Sequence, residues 1–300
     1  MPATGYDADK LPAEFMQING EDPAWLAALP DLLASLAARW SLAIGPHYPA
    51  IRYNYVAPAT RTDGRPCVLK VSRHGESGNE IAALQLWAGD GACRLLEADP
   101  AIGALLVEQL QPGTMLATVA EADDDAATAI AAELLQRLWR PAPANHGLRS
   151  LESWCGAFER NRDALTRGTG GFPSALFLRA DALRRDLLAS TGTQTVLHGD
   201  LHHFNILRAE RAEWLAIDPK GLVGDRCFDI CQFLRNPYPD TPGVAVNRRR
   251  LDRFCADLGL DRERVKAWCF VHAVLDACWD FEDARSWVRT VAYAEETLEF

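Results

Sequence analysis

Two short apolar runs, in TVLHGD and in WLAIDPKG, each break off at an aspartate followed by loop residues, within a stretch of chain whose other segments carry helical spacing. Runs of this length between loop residues read as strands. Paired side by side, the two strands place Asp200 and Asp218 at one edge of a cleft, with Asn205 on the loop between them. The first run continues as VLHGDLHHFNIL, where histidines, an aspartate and an asparagine stand among aliphatic residues that read as buried. Polar groups at such positions need a reason, and a strand ending at a reaction site supplies one. Carboxylate and amide oxygens in this arrangement suit Mg2+, which takes a few such ligands and completes its octahedron with water and phosphate oxygens.

The rest of the chain divides into two unlike parts. WSLAI, IRYNYV and CVLKVS read as strands, the last preceded by the hairpin signal RTDGRP with its Asp63-Gly64 pair. A helix is expected from about Glu76 to Gly89 on the spacing of Ile81, Leu84 and Trp87, and ALLVEQL at 104–110 is another apolar strand. The first third is thus a small α+β unit. QPGTM at 111–115 interrupts both periods and reads as a connection. Helical spacing dominates from Thr118, where Thr118 and Glu121 have the spacing of a capping box and Asp123–Asp125 suit a helix N-terminus.

Composition narrows the function classes. The chain has 300 residues, 48% of them hydrophobic, enough to bury a sizeable core. No apolar run approaches the ~18 residues of a membrane span, and MPATGYDADKLPAEF has early acids and no apolar signal core, so no membrane partner and a cytoplasmic location are expected. A net charge of −10 disfavours a nucleic-acid partner and favours a cationic small molecule. The 8 cysteines include no C-x-x-C and read as reduced core thiols. The three histidines of H-x-x-x-H-H do not have zinc-ligand spacing.

The order Asp200, Asn205, Asp218 reproduces the catalytic-loop aspartate, its asparagine and the metal-binding aspartate of protein kinases. The wording HGDLHHFNIL…IDPKGLVGD is closer to another group. It resembles the aminoglycoside phosphotransferases, in particular the streptomycin 6-kinase group, also called the aminoglycoside/hydroxyurea antibiotic resistance kinases. DGRPCVLKVS, GNEIAALQLW, ACRLLEAD, ALLVEQLQPGTML and FLRNP follow in that group's order, so the resemblance spans residues 40 to 290.

That resemblance implies a protein-kinase-like, two-lobed α+β fold. Residues 1–110 would form a small, sheet-containing nucleotide-binding lobe, and residues 111–300 a larger, mainly helical catalytic and substrate-binding lobe. It further implies Mg2+-dependent transfer of the ATP γ-phosphoryl group to an aminoglycoside hydroxyl, with the streptomycin 6-hydroxyl as first choice and antibiotic resistance as the outcome. In that scheme Asp200 accepts or orients the acceptor proton, and Asn205 and Asp218 hold Mg2+. Lys70 contacts the α- and β-phosphates with Glu80 as its ion-pair partner, and backbone groups near Glu108, Gln109 and Leu110 meet the adenine edge. His202 stands where protein kinases place a basic residue near the transferred phosphate, His198 organises the loop, and Asp229 braces it. His203 is expected to be a surface loop histidine. Phe204 replaces the acidic residue more usual in the group and is expected to pack under the loop. A glycine-rich phosphate loop is absent, with only Gly45 in AIGPHYPAIRYNY.

The acceptor side is read from RVKAWCFVHAVLDACWDFEDARSW, where Trp268, His272, Leu275 and Trp279 form one helical stripe flanked by Asp276, Asp280 and Asp283. Asp276, Trp279 and Asp280 suit a guanidinium or ammonium ligand; a packed stripe with a solvated acidic edge fits the same spacing. Two other functions stand beside the aminoglycoside kinase. One is a kinase of another small hydroxylated metabolite, such as an amino sugar or polyol. The other is a non-catalytic nucleotide-binding module, against which the joint presence of Lys70, Asp200, Asn205 and Asp218 argues. GTP remains open as donor beside ATP.

Overall fold

The computed structural model describes residues 5–73, 77–237 and 242–300. The chain forms two compact units, Met1–Gly113 and Thr114–Phe300.

The N-terminal unit is built on a five-stranded antiparallel sheet of β1 (Leu42–Ile44), β2 (Tyr55–Arg61), β3 (Pro66–Val71), β4 (Leu95–Asp99) and β5 (Ala104–Glu108), in the order β1-β2-β3-β5-β4. β2 and β3 alternate in burial, and their inward residues Tyr55, Ala57, Ala59, Cys67, Leu69 and Val71 form one core with the helix Pro23–Arg39. That helix starts at Asp22, whose carboxylate accepts from the Trp25 N–H at 2.9 Å. The strand expected at IRYNYV begins only at Tyr55 and runs through Pro58 to Arg61. Pro58 is tolerated there for a geometric reason. Its carbonyl accepts from Gly45 N at 2.8 Å, so its nitrogen faces the same side, where β1 has already ended at Ile44. The helix expected from Glu76 runs over Gly78–Trp87, and Glu76 itself lies outside the described residues.

In the C-terminal unit the helix Arg262–Glu282 is the central element, buried almost without a break from Trp268 to Cys278 and packed by Ser174–Ala189 and Val288–Thr297. Asp225 ties it to the strand Leu222–Gly224: its Oδ2 accepts from Trp268 Nε1 at 2.7 Å and from Arg264 Nε at 2.6 Å. The capping box expected at Thr118 does not form. The short helix Ala117–Ala122 has Leu116 at its start and no side-chain cap, whereas Asp123 caps the following helix, Asp124–Leu138, by accepting from Ala126 N at 2.9 Å. All 8 cysteines are free thiols, and all but Cys255 are buried. Among the described residues no helix is long and apolar enough to cross a membrane.

The two aspartate-terminated strands are not side by side. Thr195–Leu197 pairs with Leu222–Gly224, and Trp214–Ala216 pairs with Ile206–Ala209. Only Trp214–Ala216 uses the run nearest to it; Thr195–Leu197 passes over that hairpin to pair with Leu222–Gly224, and the loops between these two ladders carry the polar residues.

Candidate active site

In the C-terminal unit the frame of the site is a set of hydrogen bonds around Asp229. This buried carboxylate accepts from three N–H groups: His198 N at 3.0 Å, Gly199 N at 2.6 Å and Trp139 Nε1 at 3.0 Å. Burial pushes its pKa up to about 6, against the opposing pull of these donors. His198, fully buried, joins the two loops, since its Nε2 meets the Ile217 carbonyl at 2.9 Å and its Nδ1 the Asp200 N–H at 3.3 Å. The carbonyl can only accept and the amide only donate, so the proton sits on Nε2. Burial lowers this imidazole to about 4, which makes it a neutral strut and not a proton carrier. The His198 carbonyl in turn accepts from Lys220 N at 2.8 Å and Gly221 N at 3.3 Å.

The candidate catalytic side chains hang from this frame. Asn205 is held by four bonds: its N–H donates to His202 O at 2.9 Å, its carbonyl accepts from Ile217 N at 2.9 Å, and its Nδ2 donates to Asp200 O at 3.0 Å and meets His202 Nε2 at 3.3 Å. The amide nitrogen being committed, Oδ1 is the atom left for a ligand. Asp218 adopts a left-handed backbone, φ 56°, which a non-glycine residue rarely takes. One residue absent from the sequence reading joins the group. Lys220 Nζ lies 3.1 Å from Asp200 Oδ2 and 3.9 Å from Asp218 Oδ2. The signal was available in IDPKG, as a lysine beside the second aspartate and ahead of a turn glycine, Gly221, at φ 63°. An ammonium between two carboxylates marks a place built for positive charge. With Asn205 Oδ1, the donor set fits Mg2+, a cation that needs only one or two protein carboxylates beside phosphate oxygens.

His202 lies at the edge of this group, its Nε2 3.8 Å from Asp200 Oδ1 and its Nδ1 3.3 Å from the Phe204 N–H. Burial outweighs the Asp200 carboxylate and lowers its pKa. A ring lowered in this way is a poor fit to the fixed positive charge expected of it, and the ammonium beside Asp200 is that of Lys220. Its neighbours exchange their expected places. His203 is fully buried, stacked on Phe233 at 3.9 Å with its carbonyl accepting from Ala117 N at 3.2 Å, and burial pushes it down to about 3. Phe204 is 38% exposed and meets only the edge of the His202 ring, at 5.8 Å. Only one of two adjacent side chains in this turn can point inward, and the flat imidazole fits on Phe233.

In the N-terminal unit Lys70, on β3, and Glu80, on the helix Gly78–Trp87, form a buried ion pair at 2.6 Å. Removing one partner of such a pair costs about 3–5 kcal/mol, because it strands a charge. Lys70→Met is therefore expected to lower stability by that order and to raise KM for ATP about 10- to 100-fold, the loss of a charge-assisted hydrogen bond of roughly 1.5–3 kcal/mol. The double variant Lys70→Met/Glu80→Leu should recover stability but not KM, as read by denaturant unfolding and steady-state kinetics. Glu108 N donates to Arg94 O at 2.9 Å, and Glu108 Oε2 accepts from Arg94 N at 3.1 Å, so this N–H is already used within the sheet. Gln109 Nε2 donates to the Tyr48 hydroxyl at 3.2 Å, and Leu110 is buried.

The acidic helix edge is not a row of unpartnered carboxylates. Asp276 is only 9% exposed and is paired with Arg235, with His272 Nδ1 at 3.3 Å. Asp280 accepts from Thr290 Oγ1 at 2.7 Å and Arg285 Nε at 3.1 Å, and Trp279 meets Trp154 edge to face at 5.3 Å. Helical spacing gave the stripe, but the helix is enclosed on more sides than one stripe requires.

A family model described as aminoglycoside/hydroxyurea antibiotic resistance kinase matches residues 39–284. The chain belongs to that family. It is 38% identical over 291 residues to the streptomycin 6-kinase of Streptomyces glaucescens, covering 92% of this chain and 91% of the relative. It is 34% identical over 308 residues to the hydroxyurea phosphotransferase of Kitasatospora aureofaciens, covering 96% and 86%. Its fold is that of a thermostable mutant of the aminoglycoside phosphotransferase APH(4)-Ia, solved in ternary complex with ADP and hygromycin B, with a TM-score of 0.59, 14% identity and coverage of 88% and 97%. The protein-kinase-like architecture expected from the sequence is thus the one observed: a sheet-based N-terminal unit and a helical C-terminal unit.

Proposed function

We propose that this protein is an ATP- and Mg2+-dependent kinase that phosphorylates an aminoglycoside hydroxyl, with the 6-hydroxyl of streptomycin as the preferred acceptor. The observation that carries the reading is the cluster of Asp200, Asn205, Asp218 and Lys220 on the frame held by His198 and Asp229. Phosphoryl transfer asks a protein for positioning and charge neutralisation, not for covalent chemistry, and this cluster offers both. Asp200 orients the acceptor hydroxyl and takes its proton. The acceptor oxygen then forms a bond to the γ-phosphorus as the bond from that phosphorus to the bridging oxygen breaks, and ADP leaves with the electron pair. Asn205 Oδ1 and the Asp218 carboxylate would hold Mg2+, which when bound neutralises charge on the nucleotide phosphates. Lys70, positioned by Glu80, is assigned to the α- and β-phosphates.

A second acceptor, hydroxyurea, is favoured by a specific observation. Asp276 and Asp280 are engaged by Arg235, Thr290 and Arg285, so that edge does not argue for a cationic acceptor, and one relative acts on hydroxyurea by name. Purified protein with Mg2+ and ATP is expected to form ADP in step with added streptomycin, and phosphorus NMR of the product should place the phosphate on the 6-hydroxyl. Turnover with hydroxyurea and none with streptomycin would move the assignment to the second acceptor; turnover with neither would defeat the kinase reading.

A further inference from the structure

Lys220 is fixed at its base and ends in an ammonium between two carboxylates. Its N–H is bonded to the His198 carbonyl at 2.8 Å, so its Cα belongs to the frame built on Asp229. The side chain is 38% exposed and ends between Asp200 and Asp218. The flexible lysine stem lets the ammonium move by several ångströms about that fixed base.

The present position of the ammonium conflicts with both carboxylates' tasks. Asp200 has to offer an oxygen to the acceptor hydroxyl, yet its Oδ2 is paired with Nζ at 3.1 Å. Asp218 has to offer an oxygen to a dication, and an ammonium 3.9 Å away repels one. Two carboxylates brought together without a cation repel each other, so the ammonium stabilises the site while it waits. A dication on Asp218 would push the ammonium away, and with Asp200 engaged by the acceptor hydroxyl the phosphoryl oxygens are the anionic partners left for it.

We propose that Lys220 is a displaceable cation and a catalytic residue of this site. It holds Asp200 and Asp218 together in the nucleotide-free protein, and it turns to the oxygens of the phosphoryl group during transfer. It stays an ammonium throughout and forms no covalent bond; the acceptor proton still goes to Asp200. The second half of this inference rests on the kinase reading, whereas the first half does not.

The test separates the halves. Mn2+ binding to nucleotide-free protein, followed by the electron paramagnetic resonance signal of free Mn2+, is expected to tighten tenfold or more in Lys220→Met, because the competing ammonium is gone. Steady-state kinetics of the same variant should show kcat lowered 10²- to 10³-fold, the loss seen on removing one donor to transition-state charge, with KM for ATP within a few-fold of wild type. Lys220→Arg should keep part of kcat and leave Mn2+ affinity near wild type. If methionine at this position prevents folding, Lys220→Gln, which keeps stem length and polarity, gives the same comparison. Mn2+ affinity that is unchanged or weaker without the lysine overturns the displaceable cation. A kcat within threefold of wild type overturns the catalytic role. An inactive wild type would defeat the kinase reading alone, since the Mn2+ titration needs no turnover.

Discussion

Replacing Asp200 with asparagine is expected to lower kcat by about 10²- to 10⁴-fold while leaving nucleotide affinity nearly unchanged. The reason lies in what the change spares. The backbone of Asp200 is held independently of its carboxylate: its N–H donates to His198 Nδ1 at 3.3 Å and its carbonyl accepts from Asn205 Nδ2 at 3.0 Å. An isosteric amide therefore keeps the loop in place, and Asn205 with it, while removing the only atom of that residue able to take a proton at neutral pH. Equilibrium titration with an ATP analogue and single-turnover phosphoryl transfer separate the two quantities. Transfer within tenfold of wild type would take Asp200 out of the chemistry and leave it a loop anchor.

The second large effect concerns stability and pH. His198, His203 and His272 are all buried and lowered by burial, to about 4, about 3 and about 3. Unfolded, each regains an ordinary value near 6.5, so below that pH the unfolded chain binds protons that the folded chain refuses. Their contribution to stability is present above about 6.5 and is lost as pH falls toward the folded values. Asp229, raised by burial to about 6, works in the opposite sense: the folded protein binds its proton first, and stability from this group is lost as pH rises through 6. Near pH 5 the three histidines outweigh the single aspartate by about two protons, which corresponds to a loss of stability of roughly 3 kcal/mol per pH unit on acidification. Urea midpoints measured from pH 7.5 to pH 5 should fall steeply along this path. A flat profile would mean that water reaches these imidazoles in the native state.

The grouping of the candidate site residues was largely legible in the chain, because it depends on residue types at fixed spacing along two loops. Asp200, Asn205 and Asp218 are separated only by a hairpin, and Lys70 and Glu80 by a strand end and a helix start, so local order already constrains them. What sequence could not give was pairing and direction. The two aspartate-bearing strands were read as partners, but one closes a local hairpin and the other pairs across it with Leu222–Gly224, and the carboxylates meet instead through Lys220. Period and polarity placed His203 outside and Phe204 inside; the turn reverses them, since hydrophobicity does not say which of two adjacent rings faces Phe233. Asp276 looked available because its partner, Arg235, lies on a separate segment distant in sequence. The N-terminal helices carried no motif and were not anticipated, although Asp22 followed by Pro23 is a sound helix start.

The left-handed backbone at Asp218 has an evolutionary consequence. Holding an aspartate in that conformation costs on the order of 1 kcal/mol, part of which glycine would recover by removing the Cβ contact. A population selected for thermal endurance alone would therefore gain from glycine at this codon and lose the carboxylate proposed above to hold the metal. Selection for resistance would instead retain the aspartate at a cost in stability, so the residue at position 218 balances durability against function.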